Sequence, residues 1–274
     1  MGFFERIAKI DRRIIYILLA LVIIMPFFIH IIMPIRAAGP EQAAYNAVES
    51  LPTGTPVLIS MDFDPASMPE LKPMATAIMR HCFSKGLKVI MLGHWYTGVP
   101  LAQLILEDVA SEFELEYGKD YVNLGYRPGG SAVVLAMGKE LRDVFPTDYK
   151  GTPIDSLPMM VSIHNYSQTP LLVAFEAGAT GDMWVQYAWA RFRLNIVLGM
   201  TAVSAPDAYP YLQANQIVGL IGGLKGAAAY EMLIKRHGVA SVGMPAQSYA
   251  HLLIIIFIIL GNIGYFVTRK RRSK

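Results

Sequence analysis

Hydrophobic and polar positions repeat along this chain on more than one length scale, and each scale predicts a different kind of element. The longest apolar runs are terminal. From Ile14 to Ile35 the sequence reads IIYILLALVIIMPFFIHIIMPI, 22 residues without a formal charge. At about 1.5 Å per residue that is enough helix to cross a hydrocarbon core of roughly 30 Å. From Tyr249 to Val267 it reads YAHLLIIIFIILGNIGYFV, slightly short, which a bilayer accommodates by thinning. Both runs predict transmembrane helices. A signal peptide is the rival for the first, since Arg36-Ala37-Ala38-Gly39 loosely resembles a cleavage site. Its apolar core would run only about 7 to 15 residues, so retention as an anchor is expected. Pro26 predicts a kink in the first span. His30 and Asn262 are polar groups inside the spans and require partners. A hydrogen bond between packed helices, aided by Gly261 and Gly264, supplies one; a proton or ion path is the alternative.

Between the spans the apolar runs are short and the period switches between strand and helix. Pro56–Met61 (PVLISM) reads as a buried strand, and Glu70–Lys85 as a helix with Leu71, Met74, Ala75, Ile78, Met79 and Cys82 on one side and Gly86 as its stop. Leu87–Leu92 reads as strand and Val99–Tyr117 as helix. Tyr121–Tyr126 then reads as strand and Ser131–Phe145 as helix. Met159–His164, Leu171–Glu176 and Asn195–Val203 are further strand candidates, with a helix at Asp182–Phe192 and a long final helix over Gln213–Arg236. Alternating strands and helices predict an α/β domain with a parallel sheet, a Rossmann-like or flavodoxin-like three-layer sandwich. The expected organisation is a cytoplasmic tail (1–13), a first span (14–35), a connector (36–55), one α/β domain (56–238), a second span (249–267) and a basic tail (268–274).

Charge sets the orientation. The chain is 54% hydrophobic and 16% charged, too apolar for an ordinary soluble protein. Arg6, Lys9, Arg12 and Arg13 precede the first span, and Arg269, Lys270, Arg271, Arg272 and Lys274 follow the second. Lys and Arg are retained in the cytoplasm, so both termini are expected there and the domain in the periplasm or outside the cell, anchored in the cell (inner) membrane. Removing those nine from 24 basic residues, and Glu5 and Asp11 from 21 acidic ones, leaves 15 against 19. An acidic domain offers no basic face for nucleic acid. The single cysteine, Cys82, permits no intramolecular disulfide and reads as a buried small hydrophobe.

In open α/β sheets ligands bind beyond the carboxyl ends of the strands. The polar residues at those ends are Asp62 and Asp64; His94, Trp95 and Tyr96; Arg127 with Gly129 and Gly130; His164, Asn165 and Tyr166; Glu176; and Ser204 with Asp207. Asp62-Phe63-Asp64 after an apolar strand resembles the aspartate pair of haloacid-dehalogenase-type phosphotransferases. The resemblance implies one carboxylate attacking phosphorus and the other transferring protons, with Mg²⁺ between them. It covers only these residues: Ala66 stands where that family has Thr or Val, and the later acidic magnesium motif is absent. The structural alternative makes Asp64 or Ser67 a helix cap.

Tyr126-Arg127-Pro128-Gly129-Gly130-Ser131 is a glycine loop between strand and helix. It is read either as an anion site with Arg127 as the charged contact or as a tight turn capped by Ser131. His94 and His164 are read as ligand-binding or metal-ligating candidates at the sheet edge, or as structural histidines; no metal is expected from their spacing. The aromatic run Met183–Trp189 suits either an interfacial belt or the core.

Gln216–Glu231 (QIVGLIGGLKGAAAYE) carries Gly219, Gly222, Gly223, Gly226 and Ala229 on one side if it is helical. Each glycine there costs up to about 1 kcal/mol against Ala. A close backbone partner must offset that cost, either the domain's own sheet or the same helix in a neighbouring subunit. The reading that follows is a non-catalytic membrane-anchored subunit without a cofactor, with the lipid bilayer and copies of itself or other membrane subunits as partners. The alternatives are a membrane-anchored Mg²⁺-dependent phosphohydrolase using Asp62 and Asp64, and an anion-binding sensor module.

Overall fold

The computed structural model describes residues 11–29 and 34–272, the side chains of 268–272 excepted. His30 and the flanking charges Glu5, Arg6, Lys9 and Lys274 lie outside the described residues. The chain divides into an α/β unit, Ile35–Ala240, and a second unit made of the two end segments. In the latter, helix α1 (Arg12–Ile29) is 18 residues long, includes Pro26 and leaves Ile17, Leu21 and Phe28 more than half exposed.

The α/β unit opens with α2 (Gly39–Glu49), inside the segment expected to be a connector. Pro40 favours the first helical turn, and the Glu41 carboxylate accepts the Ala38 N–H at 3.0 Å, so a small-residue run becomes a capped helix. There follow β1 (Pro56–Asp62), α3 (Met68–Ser84), β2 (Lys88–Gly93), α4 (Gly98–Ser111), β3 (Tyr121–Tyr126), α5 (Ser131–Met137) and α6 (Leu141–Val144). The chain continues through β4 (Leu171–Glu176), α7 (Thr180–Met183), a π-helical turn (Trp184–Trp189), α8 (Ala190–Phe192), β5 (Asn195–Met200), α9 (Ala205–Gln213), β6 (Gly219–Gly222) and α10 (Gly223–Leu233).

The six strands form one parallel sheet in the order β3-β2-β1-β4-β5-β6. This is the Rossmann order, not the flavodoxin order, and its direction reverses between β1 and β4. Both faces are covered, as the near-continuous apolar strands require. On one face Leu58, Leu92, Leu124, Leu172, Ala174 and Leu198 pack with Val134, Met137, Trp184 and Ala208. On the other, a Cβ at Gly199 would touch Phe175 and Met74 of α3, and α10 lies along α3.

Three expected elements differ. The helix over Gln213–Arg236 is instead β6 followed by α10: Gly223 has φ +61, a left-handed conformation that ends helical propagation at the strand-to-helix turn. Gly219, Gly223, Gly226 and Ala229 are buried and Gly222 is half-buried, and the close approach they permit is made within the chain. A Cβ on Gly219 would stand 2.5 Å from Ala44 backbone atoms in α2, and one on Gly223 would stand 2.7 Å from Ala202. The strand expected at Met159–His164 is a 3-10 turn (Pro158–Met160) followed by a second turn and irregular backbone, and its Met159, Met160 and Ile163 enter the core without joining the sheet. The helix expected over Ser131–Phe145 breaks at Gly138, where the Phe192 ring occupies the space of a side chain.

Helix α11 (Val239–Arg272) closes the chain. Val239–Val267 is 29 residues long and apolar enough to cross a membrane, as Arg12–Ile29 is. Asn262 donates to the Ile258 carbonyl of its own helix at 2.9 Å.

Candidate binding crevice at the carboxyl edge of the sheet

Asp62 ends β1 and Glu176 ends β4, and the two are register partners across the switch point. Both carboxylates are buried, at 0% and 1% exposure. Burial raises the pKa of each. For Asp62 it outweighs the pull of His94 and of the hydrogen bonds. For Glu176 it outweighs bonds from Gly181 and Thr180, with Asp62 and Asp182 adding to the rise, and brings the group to about 7.

Their hydrogen bonds differ. Asp62 Oδ1 accepts the N–H groups of His94 and Trp95, and Oδ2 accepts the Ser60 hydroxyl at 2.6 Å. These tie the end of β1 to the loop after β2. Glu176 uses only Oε2, accepting the Thr180 hydroxyl and the Gly181 N–H. Beyond Glu176 opens a cavity of about 350 Å³, lined on the acidic side by Glu176, Asp182 and Asp207, on the polar side by Ser204 and Tyr211, and floored by Leu198 and Met200. The Tyr211 pKa is raised, first by burial and then by the neighbouring Asp182 carboxylate. The Trp95 ring reaches over Gly178, another wall residue, so the two loops meet at the mouth.

Behind this edge, the His94 ring lies edge-on to Trp184 with centroids 5.2 Å apart. Both His94 nitrogens and Trp184 Nε1 are buried without a hydrogen-bond partner among the described residues. Burial lowers the His94 pKa against the opposing Asp62 charge, which favours a neutral imidazole. Trp184 is fully buried, which resolves that member of the aromatic run as core.

Comparison with family models, with curated proteins and with solved structures finds no match. The site therefore rests on geometry.

Of the other expected positions, Asp64 holds the turn that leads into α3: its Oδ1 accepts the Ala66 and Ser67 N–H groups and the Ser67 hydroxyl, each at 3.1 Å, while α3 itself, with Ser67 at its N-cap, has no side-chain cap, contrary to the expectation that Asp64 or Ser67 supplies one. Arg127 donates from Nε to the Val144 carbonyl at 2.9 Å and lies over the Phe145 ring; beside it Gly129 and Gly130 turn the chain with positive φ. His164 is held by Glu140 and Arg142 on the β3-to-β4 connection, and its ring does not bond His94. No group of three or more metal-ligating side chains occurs among the described residues. Burial pushes the Cys82 thiol up to about 12.

Strand ends were enough to point to Asp62, His94, Glu176, Ser204 and Asp207. Asp182 and Tyr211 were missed as wall residues, because both stand inside helices where the strand-end rule does not look. The π-helical turn beside them has no sequence signal.

Proposed function

We propose that the chain is a membrane-anchored, non-catalytic subunit whose α/β domain stands on the non-cytoplasmic side, with both termini in the cytoplasm. It works by binding: other subunits or copies of itself at its surface, and a small molecule in the crevice beyond β4. The observation that carries this reading is the position of Asp62. A phosphotransferase aspartate must present a free oxygen to phosphorus, whereas Asp62 has no exposed surface and commits both oxygens to Ser60, His94 and Trp95. Asp64 commits one oxygen to the turn before α3. The pair resembling a phosphotransferase therefore holds loops together, which favours a binding domain over a hydrolase. Arg127 is likewise engaged by its own chain, which weakens the anion-sensor reading.

The test is the mass of the native particle in mild detergent, with its co-purifying proteins identified. A particle several times the 30.3 kDa chain is expected, and a lone monomer would overturn the subunit reading. Turnover of p-nitrophenyl phosphate with Mg²⁺, abolished by Asp62→Asn, would restore the hydrolase reading instead. For the topology, a cysteine placed at the exposed Lys119 in a Cys82→Ser background should react with a membrane-impermeant thiol reagent on intact cells.

A further inference from the structure

We infer that Glu49, His81 and Tyr230 form an acid-released latch, which pins α2 to α3 and α10 near neutral pH and lets α2 loosen when His81 takes up a second proton. The latch is a property of the fold and depends neither on the crevice nor on the subunit reading. His81 stands in the last turn of α3 and is only 3% exposed, yet both of its ring nitrogens are engaged. Nε2 lies 2.8 Å from Glu49 Oε2 at the end of α2, and Nδ1 lies 2.7 Å from the Tyr230 hydroxyl on α10. The Tyr45 ring of α2 stacks on the imidazole with centroids 4.6 Å apart. Three helices far apart in sequence therefore meet on one imidazole.

The partners fix its tautomer. A carboxylate only accepts, so Nε2 carries the proton, Nδ1 is the bare acceptor and the Tyr230 hydroxyl donates to it. Tyr230 is 0% exposed, and this is the one hydrogen bond its hydroxyl makes among the described residues. A proton added at Nδ1 turns that acceptor into a donor. The Tyr230 oxygen can still accept, but its own hydrogen is left without a partner in a dry site.

Glu49 pulls the other way, since it attracts an imidazolium. Its side chain is 47% exposed, however, and its other oxygen lies 3.5 Å from Lys85 Nζ, so water and a second cation weaken the attraction. Tyr45 and Cys82 face the cluster as neutral groups, and Glu231, next to Tyr230 in sequence, accepts the Gly238 and Ala240 N–H groups. Burial holds the His81 pKa below its ordinary 6.5 against the pull of Glu49, and the Lys85 charge adds to the lowering. A released His81 thus binds the proton more tightly than a latched one. The contribution of the latch is fully present above pH 6.5 and is lost as pH falls below it. The rest of α2 is held otherwise: Ala44 and Val48 are buried, Ala44 lies against Gly219 of β6, and Glu41 pairs with Lys225 at 2.9 Å. Because that pair fastens the start of α2, release begins at its last turns.

The experiment is hydrogen exchange read by mass spectrometry on the full chain in nanodiscs, at about pH 7.5 and about pH 5, each rate divided by the intrinsic rate at its own pH. Protection of the last turns of α2 is expected to fall about tenfold in acid, the effect of stranding one buried donor, while the β1 amides keep theirs. Tyr230→Phe removes the donor and keeps the ring, so the acid loss should shrink to less than about threefold. His81→Gln does not titrate, and its α2 protection should be the same at both pH values whatever its level. Equal protection of wild-type α2 at the two pH values would overturn the latch. A loss that persists in full in His81→Gln or in Tyr230→Phe would overturn it as well, by placing the titrating group or the stranded donor elsewhere. A loss shared equally by β1 would mean acid unfolding of the whole domain and would also overturn it.

Discussion

The two halves of the sheet's carboxyl edge start from the same ingredient and use it oppositely. Asp62 and Glu176 are neighbours across β1 and β4, each the last residue of its strand, each buried and each pushed toward protonation by burial. On the β1–β2 side the following loop folds down: its His94 and Trp95 N–H groups bind Asp62, and Gly98 packs against the backbone of Met61 and Phe63. That half is sealed. On the β4–β5 side Glu176 binds only the start of its own following helix, and a cavity is left between that helix and α9. A strand-end carboxylate is thus structural or available according to what the next loop brings to it.

Removing the seal should have the largest effect. Asp62→Ala leaves two backbone donors and a serine hydroxyl without their acceptor in a dry site, which costs about 4 kcal/mol. By contrast, Asp182→Asn at the open half should stay within about 0.5 kcal/mol. Denaturant or thermal unfolding of the full chain in detergent measures both; equal losses would erase the distinction between the halves. Gly98→Ala comes next. The added Cβ would stand 2.6 Å from the Met61 carbonyl oxygen and 2.9 Å from that of Phe63, and backbone cannot move aside as a side chain does, so about 3 kcal/mol is expected. Gly178→Ala meets the Trp95 ring at 2.9 Å, and a ring can rotate, so about 1 kcal/mol is expected on the open side.

How much of this was legible in the sequence follows the same division. The runs Pro56–Met61 and Leu171–Glu176 marked β1 and β4 because buried parallel strands are continuous in apolar residues. The strand ends then followed without knowledge of the strand order. The seal was not legible, since it depends on backbone N–H groups 32 and 33 residues away that carry no residue signature. The stretch Gln216–Glu231 misled because glycine and alanine fit a close-packed helix and a buried strand-turn-helix equally, and only the positive φ of Gly223 decides between them. Met159–His164 misled because apolar residues filling a core from a turn look like a short strand.

The pH dependence of stability is the prediction most specific to the open half. The Glu176 carboxyl moves from an ordinary 4.5 to about 7 on folding, so the folded chain binds that proton more tightly than the unfolded one. Below pH 4.5 both states are protonated and the group costs nothing. Between pH 4.5 and 7 the unfolded chain loses its proton first, and stability falls as pH rises; above pH 7 the full cost is in place. The displacement sets a ceiling of about 3 kcal/mol, and about 2 is expected once the site hydrates. Wild type should therefore lose about that much between pH 5 and pH 8 relative to Glu176→Gln, which keeps an acceptor for Thr180 and Gly181. Asp62 shifts in the same direction but is present in both proteins, so the difference between the two profiles isolates Glu176. Parallel profiles for the two proteins would mean that Glu176 is ionised throughout, and the contrast with Asp62 would then be one of hydrogen bonding alone.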